Sequence, residues 1–196
     1  EEGIRFFGLD PNRFTVLVFG GSLGAVSMNS AILNGVGSLR EANMQLIWQT
    51  GKEDIERIRT AAAGMRMGWI GSFIDAMEYA YAAADLVVCR AGAMTLAELT
   101  AVGAPAVLVP YPYAAGNHQT FNARTLARAG AAVVVNDHQA PQTLVQTIVD
   151  LSRNPDRLRA MREACRRLAR PDVAGSIAGR IIAILKTPVA PSGDHQ

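Results

Sequence analysis

Short, almost uninterrupted apolar runs alternate along this chain with stretches of helical periodicity. The runs are Phe14–Phe19 (FTVLVF), Met44–Gln49 (MQLIWQ), Met67–Ile70 (MGWI), Asp85–Cys89 (DLVVC), Pro105–Pro110 (PAVLVP) and Ala131–Val135 (AAVVV). Their β-branched content and flanking Gly, Pro and polar residues predict strands. Helices are predicted over Val26–Leu39, Glu53–Ala63, Ala76–Ala83, Met94–Val102, Gln119–Ala129, Gln142–Ser152, Asp156–Leu168 and Val173–Leu185. Strands that are apolar throughout, rather than at alternate positions, are covered on both faces, which is the pattern of a parallel α/β sheet. Right-handed crossovers then give a doubly wound, Rossmann-like sheet with strand order 3-2-1-4-5-6. Ligands of such sheets sit at the carboxyl ends of the strands, where the order reverses. Here that point lies between the first and fourth strands, whose exits read GGSLGA and RAGAMT.

Composition narrows the class. The 196 residues are 49% hydrophobic and 18% charged, which excludes a disordered or fibrous chain. A formal net charge of +2 gives no reason to expect nucleic acid. Arg153, Arg157, Arg159, Arg162, Arg166, Arg167 and Arg170 crowd one region, read either as a solvated helix face or as a surface for anionic lipid or a partner domain. Cys89 and Cys165 stand apart, with neither disulfide nor zinc spacing, as expected in a reducing cytoplasm. No apolar run reaches membrane-span length. Residues 1–13, which begin without a methionine, read as a linker remnant, residues 14–186 as one domain, and the Pro/Gly/Ser-rich residues 187–196 as a disordered tail.

Two exits carry the candidate chemistry. In GGSLGA, Gly21 and Gly24 allow a tight turn and close backbone approach, Ser22 adds a hydroxyl, and the following helix start favours an anion. A glycine turn needed only for packing is the plainer alternative. In RAGAMTLAE, Arg90 leaves the strand and the small Ala91, Gly92 and Ala93 leave room against the backbone, with Met94 and Thr95 following. Thr95 and Glu98 have capping-box spacing, so Glu98 either folds back on the helix start or accepts hydrogen bonds from a ribose diol. A helix N-terminus and Arg90 can together stabilise a leaving diphosphate. Further along, Phe73 and Ile74 can press on a base and read its edge through the backbone, or simply pack a helix start. His118, Gln119 and Asn122 fall near one helix face and can bind sugar hydroxyls, unless Asn117 is a plain cap and His118 a surface residue. The sequence has no G-x-G-x-x-G, no acid ending the second strand, no G-K-[ST] and no D-x-D, which count against nicotinamide, Walker-type and metal–diphosphate readings.

Taken together, GGSLGA with Asn29 beyond it, FIDAM, ADLVVCRAGAMTLAEL, GAPAVLVPYPYAAGNHQTFNA and AGAA resemble the MurG family of glycosyltransferases, in the family's order and over most of residues 16–135. The resemblance implies a GT-B fold, of which this sequence is the C-terminal, donor-binding domain, with the acceptor-binding N-terminal domain and the general base absent. It implies that Gly21, Ser22 and Gly24 approach the diphosphate or sugar and that Ile74 pairs with uracil beside Phe73. Gly92, Ala93, Met94 and Thr95 would hold the diphosphate, Glu98 the ribose, and Gln119, with His118, the GlcNAc hydroxyls. It implies inverting transfer of GlcNAc from UDP-GlcNAc to the lipid-linked muramyl-pentapeptide, without cofactor or protein-bound metal, at the cytoplasmic side of the bacterial inner membrane. The isolated chain is then expected to bind donor without transferring it. The terminal helix, with Ile177, Ile181, Ile182 and Leu185, would face the absent half. Rival readings are a soluble donor subunit of a split GT-B transferase, a related UDP-GlcNAc epimerase, a non-catalytic nucleotide-sugar binding module and an NAD-type Rossmann protein.

Overall fold

A computed structural model describes residues 1–65, 67–170 and 173–186. Helix α1 (Glu2–Phe6) precedes strand β1 (Phe14–Phe19), then α2 (Val26–Asn34), α3 (Val36–Glu41) and β2 (Met44–Gln49). Next come α4 (Ile55–Ala61), β3 (Gly68–Gly71), α5 (Met77–Ala83), β4 (Leu86–Cys89) and α6 (Ala93–Val102). Strand β5 (Ala106–Leu108), α7 (His118–Arg128), β6 (Ala132–Val134), α8 (Ala140–Ser152), α9 (Pro155–Leu168) and α10 (Val173–Lys186) complete the chain. The six strands form one parallel sheet in the order β3-β2-β1-β4-β5-β6, as the apolar runs predicted.

The sheet separates two cores because successive strand residues point to opposite faces. Val16, Val18, Leu46, Trp48, Leu86 and Val88 pack on one face against Met28 and Ile32 of α2 and Leu144 and Ile148 of α8. Leu17, Phe19, Ile47, Val87 and Cys89 pack on the other against Leu99 of α6, Leu126 of α7 and Cys165 of α9. Both cysteines are buried and unpaired; burial pushes the Cys165 thiol up to about 11.

Two expectations are corrected. The helix predicted over Val26–Leu39 breaks at Gly35, between α2 and α3. There α8 comes so close that a Cβ on Gly35 would lie 2.4 Å from the Val145 side chain. Residues 1–13, expected as a linker, are packed: Phe7 and Leu9 are buried, and Phe6 stacks on Tyr79 with ring centroids 4.9 Å apart. The expected tail, residues 187–196, lies outside the described residues, as do the side chains of Ile177 and Leu185. In α10, Ile181 and Ile182 are exposed. None of the described helices is long and apolar enough to cross a membrane.

Candidate functional site

The exits of β1 and β4 meet where the strand order reverses, since these strands are hydrogen-bonded neighbours paired Phe19 to Cys89 at their ends. The β1 exit is a tight turn. Gly21 and Gly24 take φ of +95° and +80°, and the Gly24 N–H donates to the Gly21 carbonyl at 3.0 Å. A Cβ on Gly24 would lie 2.1 Å from the Thr50 carbonyl oxygen, so only glycine lets this turn lie against the β2 exit.

A buried network holds that support in place. Asn29 Nδ2 donates to the Thr50 carbonyl and to Asp54, both at 2.8 Å, and Trp48 Nε1 donates to Asn29 Oδ1 at 3.0 Å. Arg57 Nε donates to Asp54 at 2.8 Å. That bond, with help from Asn29 and against partial burial, holds the Asp54 carboxyl below its ordinary range. Gln49, also buried, joins two exits: its Nε2 donates to the Gly21 carbonyl and its Oε1 accepts from the Ile74 N–H, both at 2.9 Å. The Ile74 N–H expected at a base edge is thus engaged by Gln49. The Ile74 side chain is buried, whereas Phe73 is exposed.

The β4 exit excludes the capping reading of Glu98. Helix α6 begins at Ala93 with Gly92 as its cap residue and no side-chain cap. Thr95 is therefore the third helical residue, and the capping box that its spacing suggested does not form. Among the described residues no side chain accepts from the first N–H groups of the helix, a state that favours a bound anion. Glu98 is exposed, and Tyr81 Oη donates to its Oε2 at 2.9 Å. Burial, foremost, and then the nearby Glu98 carboxylate push the Cys89 thiol well above its ordinary value.

Arg90 has a different environment from the one expected. Its guanidinium pairs with Asp137, donates to Ser27 Oγ at 3.1 Å and to the carbonyls of Val109 and Pro110 at 3.1 and 3.3 Å, and lies 5.4 Å from the Tyr111 ring centroid. The pair is largely enclosed, with side chains 12% and 19% exposed. Arg90 therefore ties the exits of β4, β5 and β6 together, and its charge is met within the chain rather than left for a diphosphate.

The amides of α7 also divide. Gln119 Oε1 accepts from the N–H groups of Ala91 and Tyr111, at 3.2 and 2.9 Å. Only an oxygen can accept both, so Gln119 presents Nε2 as a donor. Asn122 Nδ2 donates to the Ala91 carbonyl at 3.0 Å and clamps the β4 exit rather than facing a ligand. His118 is exposed and its Nδ1 contacts the Ala115 carbonyl at 2.7 Å. Asn117 occupies the cap position, but its oxygen takes the Thr120 hydroxyl at 2.6 Å rather than a backbone N–H.

Two cavities flank the glycine turn. One of about 590 Å³ is lined by the turn, Ser27, Arg90, Tyr111, Gln119 and Asp137. The other, about 560 Å³, is lined by Ser22, Leu23, Lys52, Glu53 and Phe73. Ser22 and Leu23 form the ridge between them. Ile74, Gly92, Ala93, Met94, Thr95, Glu98, His118 and Asn122 line neither cavity. The reading of the sequence missed Gln49, Tyr81 and Asp137, whose contributions come from contacts distant in sequence, and Lys52, which lines the second cavity. Among the described residues, no three His, Cys, Asp or Glu side chains gather as a metal site would require.

Residues 15–177 match the family described as the glycosyltransferase family 28 C-terminal domain. Two relatives are UDP-N-acetylglucosamine–N-acetylmuramyl-(pentapeptide) pyrophosphoryl-undecaprenol N-acetylglucosamine transferases. That of Chlorobium limicola is 48% identical over 187 residues, 95% of this chain and 51% of its own length. That of Prosthecochloris aestuarii is 50% identical over 182 residues, 92% of this chain and 49% of its own. The crystal structure of Acinetobacter baumannii MurG superposes with a TM-score of 0.80 at 31% identity, over 92% of this chain and 53% of that one. The chain spans about half the length of the curated relatives it matches. With the sheet order, the reversal point and the match over residues 15–177 in agreement, the chain belongs to the glycosyltransferase family 28 C-terminal domains.

Proposed function

We propose that this domain binds UDP-GlcNAc as the donor half of an inverting transferase, one that adds GlcNAc to the lipid-linked muramyl-pentapeptide of peptidoglycan synthesis. The observation that carries the reading is the start of α6: an uncapped helix N-terminus directly after a central strand, with an open carboxylate on its next turn. The free N–H groups and the positive end of the helix dipole suit a diphosphate. Glu98, free of any capping role, suits the ribose diol, because one carboxylate can accept from two neighbouring hydroxyls. Gln119 Nε2 points a donor at a sugar hydroxyl. Ser22 and the Gly21–Gly24 turn close the other side.

In this reading the base meets the Ile74 carbonyl and the face of Phe73, since Gln49 holds the Ile74 N–H. The helix start carries the negative charge of the diphosphate, and no protein-bound metal or cofactor is assigned. The names carried by the relatives support the choice of donor and acceptor. The acceptor and the general base belong to the half of the relatives that this chain does not span. The site is placed at the cytoplasmic side of the inner membrane, where the lipid-linked acceptor would be met.

Calorimetric titration tests the reading. UDP-GlcNAc is expected to bind the chain in the presence of a chelator, and NAD is not. Glu98→Ala is expected to weaken the binding without lowering the melting temperature. Binding of UDP-GlcNAc that Glu98→Ala leaves unchanged would refute the ribose assignment. Transfer of GlcNAc by this chain alone would refute the division of labour between the two halves.

A further inference from the structure

We propose that Tyr81 is a positioning residue that holds the Glu98 carboxylate in the orientation that receives the ribose. This inference rests on the ribose role proposed above for Glu98. Tyr81 lies near the end of α5, and its hydroxyl reaches across to Glu98 on α6, donating to Oε2 at 2.9 Å. The ring is fixed from behind: it stands edge-on to Phe19, with centroids 6.2 Å apart and planes at 86°, and packs on the core that holds Leu99 and Cys89. Phe19 ends β1 and is itself buried. The hydroxyl is therefore presented from a rigid base.

Glu98 has no comparable support of its own. It is exposed, and none of the ion pairs among the described residues includes it. A glutamate in that state populates several rotamers, and binding a diol would have to order it. The Tyr81 bond orders it beforehand and uses one lone pair of Oε2. Oε1 and the second lone pair of Oε2 remain for the two hydroxyls. Burial, together with the adjacent negative charge, raises the Tyr81 pKa, so the phenol keeps the proton that this bond needs.

The test compares UDP with 2′-deoxy-UDP by calorimetry on the unsubstituted chain, Tyr81→Phe, Glu98→Ala and the double variant. Tyr81→Phe keeps the ring and its packing, so its melting temperature is expected to stay near that of the unsubstituted chain. The preference for UDP over 2′-deoxy-UDP is expected to fall about three- to tenfold in Tyr81→Phe, the cost of ordering one long side chain at binding. In the Glu98→Ala background, Tyr81→Phe is expected to have no further effect, because the hydroxyl acts through the carboxylate. Unchanged ribose preference in Tyr81→Phe, with that preference lost in Glu98→Ala, would overturn this inference and leave the ribose assignment standing. An effect of Tyr81→Phe that persists in the Glu98→Ala background would also overturn it. Ribose preference retained in Glu98→Ala, or no binding of UDP to the unsubstituted chain, would overturn the ribose assignment and this inference with it.

Discussion

Arg90 and Glu98 flank the start of α6, eight positions apart, and the structure treats them in opposite ways. Arg90 is enclosed: Asp137, Ser27 and two carbonyls meet its guanidinium, and it joins three strand exits. Glu98 is open, with one hydroxyl on one oxygen. Both stand in the same motif, and both are chemically suited to a nucleoside diphosphate. On the proposed reading, charge in a motif does not separate framework from site; what separates them is whether the charge is met inside the chain. Arg90 ties the strand exits together, and on the proposed reading Glu98 is left for the ribose.

Substitutions at the two positions separate these roles. The largest effect is expected from Arg90→Ala, which leaves Asp137 without its partner in a largely enclosed setting. A loss of about 2–3 kcal/mol is expected in chemical denaturation, since charged hydrogen-bonded groups stripped of a partner cost roughly that much. If Arg90→Ala instead keeps its stability and loses only ligand binding, the contrast is reversed. Glu98→Ala is expected to be the mirror image: UDP-GlcNAc affinity falls about 10- to 100-fold by calorimetry, the loss of hydrogen bonds to a charged acceptor. Its stability is expected to change by about 0.5 kcal/mol or less, as for an exposed substitution.

A smaller effect is expected at the network under the glycine turn. The Asp54 pKa is lowered in the folded chain, so its contribution is present above the ordinary carboxylate value of 3.8 and is lost as pH falls below that value towards the folded one. Arg57 is 44% exposed, which limits the contribution to about 1 kcal/mol. Asp54→Asn should therefore flatten the fall in urea midpoint below about pH 4. The smallest effect is expected from Gln119→Glu. One carboxylate oxygen can still accept from Ala91 and Tyr111, and the other replaces the Nε2 donor. UDP-GlcNAc should weaken about fivefold while UDP changes less, about one net hydrogen bond to the sugar.

Much of the framework could be read from the chain because parallel strands buried on both faces are apolar throughout. DLVVC and FTVLVF needed no partner information to be recognised, and the reversal point followed from the crossover rule. The break at Gly35 was invisible because its cause, the approach of Val145, lies far along the chain. The packing of Phe7 and Leu9 was hidden for the same reason, since a short segment with few apolar residues carries no periodicity. At the site, residue types suggested the chemistry but not the partners. Thr95 and Glu98 had capping spacing, yet α6 starts at Ala93, so the spacing was coincidental. Arg90, Asn122 and the Ile74 N–H each had the right chemistry for a ligand. Asp137, Ala91 and Gln49, all distant in sequence, engage them instead.

On the proposed reading, the uncapped start of α6 receives a diphosphate. Backbone amide resonances followed during a titration with UDP, in the presence of a chelator, test it most directly. Saturable shifts are expected at Ala93, Met94 and Thr95, with much smaller shifts there when uridine replaces UDP. Saturable UDP binding that leaves those three amides unmoved would contradict it.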